Sequence, residues 1–174
     1  AEQLDKIQED LNTEIRLIID DINDAASKIS NLNMKIAGVE GTGDMANDLI
    51  DERNNLLDKL SKLVDIDIIE KNNGMVDITL GGVLLVNGTK TNQMVADYNG
   101  PQSNFLTAKW KKDNPEEQPV VQLKSGTLKG LIEARGDVLG FKGSIENGSL
   151  PKEVDDVDYD STTDLYTFDP DASS

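Results

Sequence analysis

Apolar residues in the first forty positions recur at Leu4, Ile7, Leu11, Ile15, Ile18, Ile22, Ala25, Ile29, Leu32 and Ile36. The steps alternate three and four except at Ile7–Leu11–Ile15, which takes two fours in succession. That spacing is a helical seam of coiled-coil type with one stutter; a strand, with its period of two, cannot produce it. It predicts one helix from about Glu2 to about Ala37, on the order of 50 Å long. A lone helix would leave this stripe in water, so the stripe must face a partner. The run "GVEGTGD" stops the helix, with Gly38, Gly41 and Gly43 supplying cap and turn chemistry. Asp44 is the expected N-cap of the next helix, its carboxylate at the positive end of the helix dipole. Leu49, Leu56, Leu60 and Leu63, flanked by Ile50 and Leu57, form a second seam with Arg53 on it. The short connection predicts an antiparallel helical hairpin over residues 1–64, with no strand in it.

At Val64 the period changes to two. "VDIDII", "MVDITL" and "VLLVNG" alternate, separated by "NNG" and "GG", so three short strands joined by hairpins are expected, with Asn73-Gly74 as a two-residue turn. "QMVADY", "NFLTAKW" and "PVVQLK" read as further strands, which makes 65–124 a small β-rich domain. "SGTLKGLIEARGDVLG" returns to helical spacing through Leu128, Leu131, Ile132, Arg135 and Val138, with Ser125 as its cap, giving a returning helix over 125–146. Residues 147–174 read as an acidic loop, a short hairpin or the start of a variable insertion. The fold class is therefore α+β: a long antiparallel, coiled-coil-like helical hairpin, then a small antiparallel β domain and a returning helix.

Composition narrows the chemistry. The chain has 174 residues, a formal net charge of −16 and a pI near 4.2. Such a chain repels phosphate backbones and anionic lipid, so neither nucleic acid nor a membrane surface is an expected partner. Cysteine and histidine are absent. Thiolate nucleophiles, disulfides and cysteine–zinc sites are thereby excluded, together with the commonest acid–base residue and metal ligand. No cofactor is expected, and carboxylate or lysine chemistry is all that remains for catalysis. No apolar run is long enough to span a bilayer, and the first residues lack the basic-then-apolar layout of a signal peptide. The chain opens on alanine and is read as a fragment.

Three constellations invite chemistry and fall short of it. Asp156, Asp158 and Asp160 have the one-three-five spacing of a calcium loop. Ser161 then stands where the turn needs glycine, and Thr167 where the bidentate glutamate belongs, so a solvated acidic loop accounts for them. No carboxylate pair lies beside aromatics that would bind a sugar, since Trp110 sits among lysines. "GTGDMAND" has glycines but no following Lys-Ser/Thr, and is a turn rather than a phosphate loop. Arg53 is different. A guanidinium on a seam is costly unless its donors are met. Either it lies at the stripe's edge with its head in water, or it is a buried polar lock that sets helix register. Asp48 and Asp51 cannot both face it from the same helix. A buried Arg53 therefore needs a partner across elements: Asn33, Asp65 or Asp67, or Glu133.

The ordered phrases of the chain carry a resemblance. Ile29, Leu32, Asn33 and Ile36 end the long helix. Asn47, Asp48, Leu49, Asp51, Arg53 and Asn54 follow a glycine turn, and Leu60, Ser61 and Val64 close the second helix. Asn73, Gly74, Gly81, Gly82, Leu85, Val86 and Gly88 punctuate the hairpins. Gly126, Leu128, Gly130, Leu131 and Arg135 mark the returning helix. In these phrases, over roughly residues 10 to 140, the chain resembles the flagellar hook-associated protein 1 family (FlgK). The resemblance implies a structural subunit of the bacterial flagellum that joins hook to filament, exported by the flagellar type III apparatus and located outside the cell. It implies no catalytic residue, and as partners copies of itself and neighbouring hook and filament axial proteins in the full-length context. It implies a central fragment, monomeric when isolated, with the terminal polymerising helices elsewhere. Asn33, Asn47, Asp48, Asp51, Arg53, Gly81, Gly82 and Arg135 are the motif positions to which it assigns structural roles. Another axial protein, flagellin-like or a cap, or an extracellular adhesin or glycan-acting domain, are the competing classes.

Overall fold

The computed structural model describes residues 2–98, 105–138, 157–160 and 165–168. Helix α1 spans Glu2–Glu40 and helix α2 Asn47–Leu63, so the first 64 residues are helical with no strand. α1 runs three residues past its expected end. Gly38 is accommodated within it, and the stop comes from the bonds Gly41 N–H to Ala37 O, Thr42 N–H to Val39 O and Gly43 N–H to Glu40 O. Gly43 takes φ +88°, which a side chain would resist. Asp44 is not the cap of α2. The N-cap position is Ala46, with no side-chain cap bond, and Asp44 stays in the turn, 3.4 Å from Thr42 Oγ1. Packing decides this: Ala46 is buried with Leu32 and Ile36, and that burial fixes where the second helix begins.

The buried face of α1 also corrects the seam. Its innermost line runs Asn12, Ile15, Ile19, Ile22, Ala26, Ile29, Asn33, Ile36. These steps alternate three and four without interruption, so the stutter belongs to the apolar residues and not to the buried stripe. Ile19 is fully inside while Ile18 packs, partly buried, at the edge of the core, and Ile7 is 42% exposed. Against this stripe pack Leu57 and Leu60 of α2 and the strands that follow.

Strands β1 (Ile66–Glu70), β2 (Val76–Leu80), β3 (Val83–Asn87) and β4 (Lys90–Thr91) form an antiparallel sheet in chain order. The β1–β2 loop has three residues between Lys71 and Met75, which share a backbone bond of 2.9 Å, rather than the expected two. Gly74 occupies its left-handed position at φ +74°. Gly81-Gly82 is a two-residue turn with both φ positive, at +56° and +80°, as the twist of a tight hairpin requires. A bulge follows: Ile78 pairs with Val86 while Thr79 pairs with Leu84, leaving Leu85 extra. Consecutive Leu85 and Val86 are both fully buried as a result.

Strands β5 (Met94–Tyr98) and β6 (Leu106–Trp110) form a second antiparallel pair. The expected strand over 119–124 reduces to one bridge, Lys109 to Val120, with Val121 N–H bonded to Ala108 O. Pro119 has no N–H to donate, and beyond it Asp65 Oδ1 takes the N–H groups of Lys124 and Ser125, so a ladder cannot continue. Helix α3 is Thr127–Val138. Ser125, the expected cap, is thus engaged by Asp65, and Thr127 Oγ1 donates to Lys62 O. Gly126 allows that approach: at φ +101°, a Cβ there would lie 2.6 Å from Leu63 O. Residues 139–146 of the expected helix lie outside the described residues. Strands β7 (Val157–Asp160) and β8 (Leu165–Phe168) pair as a hairpin. Asp158 and Asp160 of the calcium-like spacing are strand residues there, and Asp156 and Ser161 lie outside the described residues. The chain divides into two compact units, 1–141 and 142–174.

Two outcomes follow from this arrangement. Gly82→Ala meets only left-handed strain and should cost about 1 kcal/mol. Gly81→Ala also puts its Cβ 2.5 Å from Gln122 O and should cost about 2–3 kcal/mol by urea unfolding; equal losses would show that the 119–124 segment does not press on this turn. Asp97 bonds Lys109 Nζ at 2.7 Å across the β5–β6 pair, and that bond first, aided by the Tyr98 N–H against a smaller opposing effect of burial, holds its carboxyl below the usual range. A lowered folded value gives stability that is present above the unfolded value of about 3.9 and lost as pH falls through the folded one. Asp97→Asn should therefore lose that contribution at neutral pH and flatten the acid limb, the two proteins converging as pH falls below about 4; an unaltered acid limb would exclude the pair as its source.

Candidate functional site: a polar joint between helices and sheet

Asn33 sits on the innermost line of α1 at 0% exposure, and burial forces its amide to find partners inside the protein. All of its capacity is used. Nδ2 donates to Val76 O at 2.7 Å and to Gly88 O at 2.8 Å. Oδ1 accepts the Val76 N–H at 3.1 Å and Arg53 Nη1 at 3.2 Å. Two donors and two lone pairs are thereby met. Against Val76 the side chain imitates a neighbouring strand, taking both the N–H and the C=O of one residue.

Arg53 reaches the same point from α2. It is 7% exposed, and Nη1 also donates to Gly74 O at 2.6 Å. The buried reading of this residue is the correct one, and Asn33 is its side-chain partner. The other proposed partners are engaged elsewhere: Asp65 holds the backbone of Lys124 and Ser125, Glu133 pairs with Lys129, and Asp67 is an exposed residue of β1. The guanidinium is met by an amide oxygen and a backbone carbonyl rather than by a carboxylate. Nε is buried without a hydrogen-bond partner. Burial pulls the guanidinium below its ordinary value, with the charges of Glu70 and Glu40 opposing. An arginine stays protonated throughout the range in which proteins fold, so the joint keeps its charge.

The joint is braced on its far side. Asp77 Oδ1 accepts the Gly88 N–H at 2.7 Å, and its other oxygen pairs with Lys71 Nζ at 2.6 Å. Gly74 and Gly88 thus present their carbonyls to Arg53 and Asn33 from the β1–β2 and β3–β4 loops, which lie at the same end of the sheet.

Two further asparagines of α1 repeat the device, and the apolar pattern passed over both. Asn23 Nδ2 donates to Met94 O at 2.8 Å while its Oδ1 accepts the Met94 N–H at 2.9 Å. Asn12 Oδ1 accepts the Leu106 N–H at 3.1 Å. Asn12, Asn23 and Asn33 therefore hold the first residues of β6, β5 and β2 in turn. A signal was there to be read: each asparagine immediately follows a seam residue, Leu11, Ile22 or Leu32.

Of the motif positions, the structure brings Asn33 and Arg53 together, with Gly74 and Gly88 as their carbonyl partners. Asn47, Asp48 and Asp51 are exposed on the first turns of α2, where Asp48 complements the helix dipole. Gly81 and Gly82 form the β2–β3 turn, where Gly81 backs onto Gln122. Arg135 lies in α3, and its side chain is outside the described residues. Among the described residues no cluster of acids could hold a metal ion, and no helix is long and apolar enough to cross a membrane. The side chains that meet at its centre are an amide and a guanidinium, neither of them a nucleophile. What it can do is fix the helices against the sheet.

Arg53→Ala removes a charge-assisted donor from one buried and one part-buried acceptor and should cost about 3 kcal/mol in urea unfolding, where an exposed arginine would cost under about 1 kcal/mol. Asn33→Ala strands the Val76 N–H and two carbonyls and should cost at least about 3 kcal/mol. Since the two side chains share a bond, the double variant should lose less than the sum by about 1 kcal/mol. Strict additivity would mean that they act separately.

Residues 1–152 match the family described as the flagellar hook-associated protein FlgK helical domain. The chain is 28% identical over 175 residues to flagellar hook-associated protein 1 of Bacillus subtilis (strain 168), covering 91% of this chain and 34% of that protein. It is 30% identical over 134 residues to flagellar hook-associated protein 1 of Salmonella typhimurium, covering 74% of this chain and 24% of that protein. The structure of the flagellar hook junction protein FlgK from Burkholderia pseudomallei aligns with a TM-score of 0.68 at 26% identity, over 78% of this chain and 25% of that one. The chain thus spans 24% to 34% of the length of these relatives. The seam, the Asn33–Arg53 joint and the Gly-Gly hairpin lie inside the matched span, and the chain belongs to the flagellar hook-associated protein FlgK helical-domain family.

Proposed function

We propose that, within its full-length protein, this chain is the stiff body of a structural subunit at the junction between hook and filament of the bacterial flagellum. Its partners are further copies of the same subunit and the adjoining hook and filament axial proteins, outside the cell after type III export. It takes no cofactor, binds neither nucleic acid nor lipid, and has no catalytic role. The helical hairpin at 1–64, the β-rich part at 65–124, the returning helix at 125–146 and the segment from 147 onward are its working modules, with Asn47, Asp48, Asp51 and Arg135 as structural positions of the same design.

The observation that supports this reading is the Asn33–Arg53 joint. A subunit that passes torque must resist sliding between helix and sheet, and directional hydrogen bonds from two helices to fixed backbone groups oppose sliding better than apolar contact alone. The buried polar groups here serve holding.

The test replaces the matching segment of the Salmonella typhimurium relative with this chain, in cells lacking their own copy. The expected outcome is a secreted chimera, attached filaments and restored swimming, with swimming reduced in the chimera carrying Arg53→Ala and Asn33→Ala. Secreted chimera with no attached filament would overturn the proposal. The purified chain should sediment as a monomer and leave glycan substrates unhydrolysed; turnover above a buffer control would move it to another class.

A further inference from the structure

The sequence contains four Asn-Gly pairs, at 73–74, 87–88, 99–100 and 147–148, of which the last two lie outside the described residues. Both described pairs feed the joint, because Gly74 O accepts from Arg53 and Gly88 O from Asn33. Both glycines have positive φ, +74° and +60°, and neither nitrogen is shielded by a side chain of its own. What separates them is the fate of the glycine N–H.

At 87–88 the nitrogen is locked. Gly88 is buried, and its N–H points at the carboxylate of Asp77, 2.7 Å away, itself braced by Lys71. A charge-assisted bond of this kind holds the proton on the nitrogen and the nitrogen in place. At 73–74 the N–H meets only the neutral carbonyl of Lys71, at 3.2 Å, in a loop where Gly74 is half-buried and Asn73 exposed. The Asn73 side chain is turned toward the chain that follows it, its Oδ1 accepting the Met75 N–H at 3.2 Å. The same bond polarises the side-chain carbonyl toward attack.

We propose that Asn73 is a site of spontaneous covalent modification, and that the fold protects Asn87 from the same reaction. The Gly74 backbone nitrogen bonds to the side-chain amide carbon of Asn73 and loses its proton to water. The carbon–nitrogen bond of the side-chain amide breaks, and ammonia departs with a proton returned from water. A succinimide remains, which water hydrolyses to aspartate or, by opening the other carbonyl, to isoaspartate. No enzyme or oxidant is required. The isoaspartate product lengthens the main chain by one carbon directly before Gly74, whose carbonyl is the Arg53 acceptor, so the modification falls on the joint itself.

The test is incubation of the 174-residue chain at mildly alkaline pH, followed by peptide mapping of aspartate and isoaspartate at positions 73 and 87, natively and in urea. The native chain should react at Asn73 about tenfold or more faster than at Asn87, the factor expected for opening one charge-assisted hydrogen bond. In urea the two rates should converge. Equal native rates, faster reaction at Asn87, or a preference for Asn73 that persists undiminished in urea would each overturn the proposal.

Discussion

A strand that starts against a helix leaves backbone N–H and C=O groups facing an apolar surface, and burial makes each of them costly unless it is paired. The whole first unit is organised around that constraint. Asn33 resolves it at Val76, Asn23 at Met94, and Asn12 serves the N–H of Leu106. Each amide stands in for a strand neighbour that does not exist. The spacing of 11 and then 10 residues corresponds to about 16 Å of helix per step, so α1 acts as a spine on which successive strands are hung.

Apolar burial and amide pairing have different roles here. The isoleucines of α1, with Leu60, Ile78, Leu80, Leu85 and Leu106, supply the bulk of the driving force, and that force is non-directional. A seam of isoleucines offers similar burial when shifted by a heptad. An amide bonded to both groups of one residue does not, because a shift leaves four groups unpaired at once. Arg53 extends the same logic to α2, tying it to Asn33 and to the β1–β2 loop in one contact. A polar residue on a seam that sets register at some cost in stability is a device known from coiled coils, here turned toward a sheet.

That division of labour is set in a family whose named members are flagellar hook-associated protein 1 and the flagellar hook junction protein FlgK. Hydrogen bonds weaken steeply when their partners are displaced by about an ångström, so they oppose sliding where apolar contact does not. The bulge at Leu85 and the left-handed glycines at the β2–β3 turn further reduce the number of registers the sheet can adopt.

The sequence by itself determined the local periods, and through them the helical hairpin, the β hairpins, the returning helix and the α+β class. Period is a property of neighbours along the chain, which is why it could be read so far. The family was legible in short phrases for the same reason. Tertiary structure decided everything that depends on residues distant in sequence. It moved the start of α2 past Asp44, because Ala46 is buried against Leu32 and Ile36. It reduced the 119–124 strand to one bridge, with Pro119 lacking a donor at its start and Asp65 holding the Lys124 N–H at its end. It turned Arg53 inward, for which spacing left two readings open. And it gave three asparagines their roles: a count of apolar positions skips an amide, whereas in the folded chain Asn12 and Asn33 lie on the line that the isoleucines define. Whether an amide on that line is a defect or a joint depends on the backbone groups opposite it, and those come from strands 43 to 94 residues away.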